Sequence, residues 1–277
     1  MGATNENTTE SPKEIFNTDD CFMISCVYLG NYGRHGNQMF QYAMTLSLAK
    51  KFDTIAVAPI ENTTIKDCFV LGDVQNAVPA EVHGRYEEPN FGFDESVYNL
   101  PKEANIDLLG YFQTEKYFEE YSDLIKKNFE FRDEIKSQAE LWRRSMPITE
   151  SDKTVSIHVR RGDYLQLSDT HPPCEVEYYD SAMKRFEGYT PLIFSDDIEW
   201  CRQNLSHLNP IFVEGNSLNV DMCLMSLCNG HIISNSSFSW WAAWLGKKDN
   251  VVAPKKWFGP AGPQDWSDIY CKGWILC

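Results

Sequence analysis

The chain has 277 residues, 43% of them hydrophobic and 13% aromatic, which allows one large domain or two small ones with a packed core. Its formal net charge of -15 argues against a nucleic-acid partner, which needs a basic face, and against simple adsorption to anionic lipid. A small anionic ligand stays compatible, because a local Arg cluster outweighs the global field at contact distance.

Residues 1–20 are rich in Asn, Thr, Glu, Ser and Pro and read as a disordered tail. A strand is expected near Cys21–Leu29, running into the glycine-punctuated loop Gly30–Asn37. Met39, Tyr42, Ala43, Leu46 and Ala49 recur at helical spacing, so a helix is predicted from about Gln38 to Lys51. This strand, loop and helix matches neither G-x-G-x-x-G nor the Walker pattern. Either the exposed amides at the helix start bind an anion or substrate hydroxyls, or Gly33 and Gly36 merely turn the chain. Ile55–Ala58 is a second strand, and residues 59–105 read as irregular, with Tyr86, Phe91, Phe93 and Tyr98 forming a satellite core or lining a site. Asp107–Tyr111 is a strand, followed by a helical segment to about Lys127 and an amphipathic helix from about Asp133 to Arg144. Met146–Lys153, polar and containing Pro147, is the best linker, which divides the chain into 21–146 and 147–277.

The β-branched run Thr154-Val155-Ser156-Ile157-His158-Val159 opens the second half as a buried strand and delivers Arg160, Arg161, Gly162 and Asp163 where it ends. Strand alternation sends His158 and Arg160 to one face and Arg161 to the other. A guanidinium at a strand end suits a diphosphate, whose oxygens it binds in pairs; a structural Arg–Asp pair closing a turn is the competing reading. Beyond this, helices are predicted at Glu177–Phe186, Ile198–Leu205, Val220–Cys228 and Ser239–Leu245. They alternate with strands at Pro191–Phe194, Pro210–Val213, Gly230–Ser234 and Asn250–Ala253, the pattern of a parallel sheet.

Cysteines occur at 21, 26, 68, 174, 201, 223, 228, 271 and 277, an odd and scattered set without a C-x-x-C pair, which fits reduced, packed thiols. Asn-x-Ser/Thr triplets at Asn7, Asn62, Asn204 and Asn235 matter only in a secretory compartment, and Asn235 falls in an expected core motif. No apolar run approaches the roughly 18 residues that span a bilayer, and no signal-peptide core is present. No Asp-x-Asp pair and no zinc-spaced His/Cys cluster occurs, so no metal is required, with Asp196-Asp197 the remaining candidate for one. Arg160 can neutralise a diphosphate, Asp196 or Asp197 can accept hydrogen bonds from a guanine amino group or ribose, and Ser236 and Ser237 can bind phosphate oxygens at a helix start. Helix capping explains Ser195–Asp197 and Ser234–Ser239 equally well, and Trp240, Trp241 and Trp244 read as core.

Four blocks in order carry a resemblance. They are Gly33–Ala43 (GRHGNQMFQYA), Ser156–Tyr164 (SIHVRRGDY), Phe194–Asp197 (FSDD) and Ile233–Leu245 (ISNSSFSWWAAWL). Together they resemble glycosyltransferase family eleven, the α-1,2-fucosyltransferases, over nearly the whole chain after residue 20, with His35 standing where the family usually has Leu. The resemblance implies an α/β, GT-B-like fold of two Rossmann-type halves with a cleft between them. The first half would face the acceptor and the second the donor. It implies GDP-β-L-fucose as donor, the 2-hydroxyl of a galactose-terminated oligosaccharide as acceptor, inversion to an α-linkage, and no metal or other cofactor. The His-x-Arg-Arg motif is similar to one in α-1,6- and protein O-fucosyltransferases, where the first Arg contacts the donor phosphates, a role that maps onto Arg160. The expected donor contacts are thus Gly36, Asn37, His158, Arg160, Asp196, Asp197, Ser236 and Ser237. Inversion calls for a base near the acceptor hydroxyl, with Asp163, Asp169, His171 and Glu175 as candidates. Asp169 and His171 are the expected catalytic partners of Arg160, and Asp163 is expected to support Arg161. A cytoplasmic enzyme, peripheral to a membrane at most, is expected, or a Golgi-lumenal one if a eukaryotic chain has been truncated. The rival readings are another fucosyltransferase, protein O- or α-1,6-, and a non-catalytic glycan-binding protein on the same fold. No protein partner is inferable.

Overall fold

The computed structural model describes residues 22–247 and 249–277; the expected tail at 1–20 lies outside them. Two parallel sheets form in succession. The first contains β1 (Met23–Ser25), β2 (Ile55–Ala58), β3 (Gln75–Asn76), β4 (Gly84–Glu87) and β5 (Ile106–Leu109), in the order β3-β2-β1-β5-β4. The second contains β6 (Thr154–Val159), β7 (Thr190–Ser195), β8 (Ile211–Phe212), β9 (Gly230–Ile232), β10 (Val251–Ala253) and β11 (Ile275–Leu276), in the order β11-β10-β9-β6-β7-β8. β6 is central because all six of its residues are buried, as a strand covered on both faces requires. It pairs in register with β7, His158 opposite Phe194, and with β9, Ile157 opposite Ile232.

In each sheet the strand order reverses at the first strand of the half. β1 lies between β2 and β5, and β6 between β7 and β9. Open parallel sheets bind ligands in the crevice outside the strand C-termini at such a reversal. The loops leaving β1, β5, β6 and β9 all reach one cleft.

The helices α1 (His35–Lys51), α2 (Ser122–Asn128), α3 (Asp133–Ser145), α4 (Val176–Met183), α5 (Ile198–Leu205), α6 (Leu218–Ser226) and α7 (Ser237–Leu245) cover the sheets. α1 is buried except at Asn37, Lys50 and Lys51, because its apolar residues meet β1 and β2 on one side and α7 of the second half on the other. The contact is aromatic: the Phe40 ring lies 4.5 Å from Trp240 and 4.9 Å from Trp241, and Phe118 stacks on Trp241 at 5.3 Å. The three tryptophans of α7 are core, as expected, and the core they complete joins the two halves. α3 precedes the 146–153 loop in sequence but packs against α6, beyond it.

The interval 59–105 is less irregular than its sequence reads. It holds β3 and β4, which are only 2 and 4 residues long and therefore show no periodicity. Of its aromatics, Tyr86 is buried, Phe93 and Tyr98 pack on the core, and Phe91 lines the cleft. Of the eight described cysteines all but Cys277 are buried. Asn235 is buried, with its amide donating to the carbonyls of Pro172 and Trp257, so its sequon is an internal tether. Among the described residues no helix is long and apolar enough to cross a membrane.

Candidate active site

β6 ends at the cleft with its polar face turned toward β9. Ser156 Oγ lies 2.8 Å from His231 Nδ1, and His158 Nδ1 lies 2.8 Å from Ser234 Oγ. Burial and the neighbouring Arg160 hold His158 down to about 3, so the ring is neutral across the physiological range. It serves as a hydrogen-bonding group and not as a cation.

The alternation expected of the arginine pair is present. Arg161 turns away from the cleft, its Nε 3.2 Å from Asp197 Oδ2 and its guanidinium 4.0 Å above the Trp200 ring. Arg160 stays on the cleft face, with Nη1 2.7 Å from Asp196 Oδ2 and Nη2 on Asp163. Asp163 therefore supports Arg160 and not Arg161, correcting the expectation. The physical reason is the turn at Gly162. It folds the chain so tightly against Asp196 that a Cβ at 162 would lie 2.5 Å from Asp196 Oδ2, and residue 163 comes back over Arg160. The second oxygen of Asp163 reaches Arg34 of the first half, 3.0 Å away, so one carboxylate joins arginines from both sides of the cleft. Asp196 Oδ1 also accepts from the Arg161 backbone N–H at 2.9 Å.

Two helix N-termini meet in the wall of the cleft that Arg160 also lines. α1 and α7 start side by side: a Cβ on Gly36 would lie 2.5 Å from the Ser237 carbonyl carbon and 2.6 Å from its Oγ, so only glycine permits the approach. Ser236 caps α7 and accepts from Phe238 N–H. Asn37, in the first turn of α1, accepts from Gln113 Nε2 at 2.6 Å. Gln38 Oε1 accepts from both the N–H and the hydroxyl of Thr64, each at 2.9 Å, and so anchors the neighbouring loop. That leaves Thr64 Oγ1 to accept from His35 Nδ1, 3.0 Å away. Burial pushes the departing residue His35 down to about 4 and keeps it neutral. Unpaired N–H groups and aligned peptide dipoles at two such ends favour a bound anion.

The cleft has a volume of about 960 Å³, enough for a nucleotide sugar. Of the expected residues, Gly36, Asn37, His158, Arg160, His171, Asp196, Ser236 and Ser237 line it. Asp197 does not. It caps α5 through Trp200 N–H and pairs with Arg161. Asp169 does not either. It is exposed, and its backbone carbonyl accepts from Ala261 N–H. His171 is half-buried, stacked on Tyr164 at 5.0 Å and 5.4 Å from the Phe258 ring. Burial lowers its pKa, partly opposed by Asp163.

Sequence reasoning passed over Arg34, Tyr111, Gln113 and Asp221, all in the cleft wall. Asp221 is the most informative of these. It sits in α6 among apolar residues, and its carboxylate accepts from Asn216 Nδ2 at 3.2 Å. Desolvation pushes its carboxyl up to about 6. Its signal in the sequence is a lone acid in the otherwise uncharged stretch Leu218–Ser226. Among the described residues no group of three or more His, Cys, Asp and Glu is arranged to hold a metal.

Comparison with known proteins agrees with this geometry. Residues 23–277 match the family described as Glycosyl transferase family 11. An alpha-1,2-colitosyltransferase of Escherichia coli is 31% identical over 266 residues, covering 82% of this chain and 90% of that protein. Galactoside 2-alpha-L-fucosyltransferase SEC1 of Bos taurus is 29% identical, covering 79% of this chain and 64% of its own. The crystal structure of NodZ alpha-1,6-fucosyltransferase soaked with GDP-fucose superposes with a TM-score of 0.55 at 14% identity, covering 82% of this chain and 93% of that one. POFUT1 in complex with GDP gives 0.54 at 11% identity, covering 94% and 99%. The two-sheet, GT-B-like architecture is thus that of fucosyltransferases, and the chain belongs to glycosyl transferase family 11.

Proposed function

We propose that the protein transfers L-fucose from GDP-β-L-fucose to the 2-hydroxyl of a β-galactoside, with inversion and without a metal. The observation that carries this reading is the convergence on one cleft of Arg160 and two abutting helix N-termini, one from each half. As the bond from the sugar to the β-phosphate oxygen breaks, the departing nucleoside diphosphate keeps the electron pair and gains one negative charge, and a fixed guanidinium with oriented backbone N–H groups stabilises that charge where it develops. Arg34 approaches the same point from the first half through Asp163.

The carboxylate of Asp221 suits the N1–H and amino group of guanine. Asp196 is already engaged by Arg160 and the Arg161 N–H, whereas the Asp221 carboxylate has, among the described residues, the Asn216 amide as its one hydrogen-bond partner. On the acceptor side, His171 stands in the cleft as a neutral imidazole able to take the proton of the attacking hydroxyl. Asp169, exposed and outside the lining, is the weaker candidate. A second reading has its own support: the Escherichia coli relative matched over 90% of its length is named for colitose, which favours a colitosyl donor.

Incubation with GDP-fucose and lactose, followed by NMR of the product, tests the reading. An α-linked fucose on the galactose 2-hydroxyl is expected. Absence of transfer to any β-galactoside overturns it, and transfer from a colitosyl donor alone establishes the second reading.

A further inference from the structure

We propose that Glu88 is a positioning residue for the acceptor-side wall: its carboxylate holds the turn at residues 110–113 by the backbone and thereby fixes Tyr111 and the Gln113–Asn37 contact. This rests on the reading that the first half receives the acceptor. Glu88 follows β4 directly and continues its pairing with β5, its N–H donating to the Leu109 carbonyl at 2.8 Å. The side chain then caps the turn that leaves β5. Oε2 accepts from Tyr111 N–H at 2.8 Å and Phe112 N–H at 3.1 Å, and Oε1 also meets Phe112 N–H at 3.2 Å.

The turn needs such a partner. Phe112 has φ +54°, a left-handed conformation that a bulky residue adopts only when its surroundings enforce it. Gly110 packs so closely that a Cβ there would lie 2.6 Å from Glu88 Cβ. From the other side Gln41 Nε2 donates to the carbonyls of Gly110 at 2.9 Å and Tyr32 at 3.0 Å. Two cleft features depend on the result. The Tyr111 ring stacks on Tyr32 at 4.5 Å, and Gln113 Nε2 donates to Asn37 Oδ1 at 2.6 Å, which orients the Asn37 amide at the start of α1.

Glu88 is half-buried, and desolvation raises it to about 7, against the two backbone hydrogen bonds that lower it. The titratable groups facing it are Tyr86 on β4 and Tyr117 beyond β5, with Asp94 hydrogen-bonded to the Tyr86 hydroxyl. Among the described residues no cation contributes to its ionisation. Protonation as pH falls through this value removes part of the acceptor that the two N–H groups share, so the turn loosens on the acid side.

The test uses the full chain, lactose and GDP-fucose. Glu88→Gln keeps an oxygen that accepts both N–H groups; Glu88→Ala keeps none. For Glu88→Ala the acceptor KM is expected to rise about tenfold or more, and the GDP Kd, which Asn37 links to the same turn, to rise by less. The wild-type acceptor KM is expected to rise as pH falls below about 7, and in Glu88→Gln that rise is expected to disappear while the neutral-pH value is kept. Amide exchange at Tyr111 and Phe112 accelerates in Glu88→Ala, and exchange within β5 does not. Equal losses in GDP affinity and acceptor KM overturn the proposal, as do unchanged exchange at 111–112 or a wild-type pH profile in Glu88→Gln. If Glu88→Ala does not fold, Gln113→Ala decides beside the Gln variant: a raised acceptor KM supports the clamp and an unchanged one overturns it. If the wild type transfers no sugar, the transfer reading fails on its own, and amide exchange still tests the clamp.

Discussion

Arg160 Nη1 lies 2.7 Å from Asp196 Oδ2 while Nη2 meets Asp163, so two carboxylates fix the plane of one guanidinium at the end of β6. Its remaining N–H groups are thus aimed before any ligand arrives, which lowers the reorganisation needed when leaving-group charge develops. Arg160→Ala is expected to lower kcat by about 10²–10³ and to weaken GDP binding. Arg160→Lys should do nearly as badly, because a point charge cannot span both carboxylates and a phosphate. Steady-state kinetics with calorimetry of GDP binding checks both variants, and near-normal turnover in Arg160→Lys would remove the forked geometry from the argument.

Gly36 makes a sharper structural prediction. A methyl group there meets the Ser237 backbone at 2.5 Å, and neither helix can yield because Phe40, Trp240 and Trp241 lock the two together below that point. Gly36→Ala is expected to cost about 1–3 kcal/mol of stability through overpacking and to weaken GDP binding by parting the helix ends. Gly72→Ala is the control: nothing lies within 4 Å of its added Cβ, and its backbone is not left-handed. Thermal unfolding that treats the two substitutions alike would refute the close approach.

What was legible in the sequence had a physical signature of its own. The β-branched run at 154–159 announced a buried strand, and helical spacing from Met39 to Ala49 announced α1. Alternation separated Arg160 from Arg161 correctly, because period two is a property of any strand. The partner of Asp163 was misjudged because the turn at Gly162 is governed by Asp196, 34 positions on, and no local pattern reports that contact. Asp221 and Gln113 escaped for the same reason: each enters the cleft only through the packing of its element against the other half or another loop. Strands as short as β3 and β4 carry too few residues for alternation to register.

Asp221 gives a pH prediction with a definite sign. Burial raises its folded-state carboxyl to about 6, above the ordinary Asp value. Such a shift adds stability below the unfolded pKa of about 3.9, and that contribution is lost as pH rises through the folded value. Ligand binding runs the other way if guanine donates to the carboxylate: GDP affinity should increase as pH rises through about 6. Asp221→Asn should bind GDP at least about tenfold more weakly, by loss of a charge-assisted pair of hydrogen bonds, and show no such dependence. His158 and His35, held at about 3 and about 4, do not titrate in this window. Calorimetry of GDP binding between about pH 5 and 8 decides; a wild-type profile in the Asn variant would assign the proton elsewhere.

Charge stabilisation by Arg160, Arg34 and two helix ends leads to a prediction about metal removal. If these groups carry the diphosphate charge, transfer should proceed at an undiminished rate in excess EDTA and gain nothing from added Mn²⁺. Activity abolished by chelation and restored by Mn²⁺ would instead place a divalent ion on the diphosphate, with Asp163 and Asp196, both paired with Arg160, the carboxylates at hand.

His171 and Asp169 divide the question of the general base. The imidazole of His171 sits in the cleft, braced by Tyr164 and Phe258, and burial holds its pKa below the ordinary histidine value. It is therefore unprotonated at neutral pH and free to accept a proton, and activity should fall as pH drops and the ring charges. Asp169 contributes a backbone carbonyl to Ala261 N–H and stands against Gly259, where a Cβ would meet its oxygen at 2.3 Å, so its role here is to shape the loop. Replacing His171 by Ala is expected to lower kcat by about 10²–10⁴, the usual contribution of a positioned base, with little change in GDP affinity. Asp169→Asn keeps the backbone contact and should retain turnover within about threefold, the scale of a surface substitution. The reverse ranking of the two variants in kcat, with both folded by thermal unfolding, would return the base to Asp169 and require the 167–171 loop to move inward when acceptor binds.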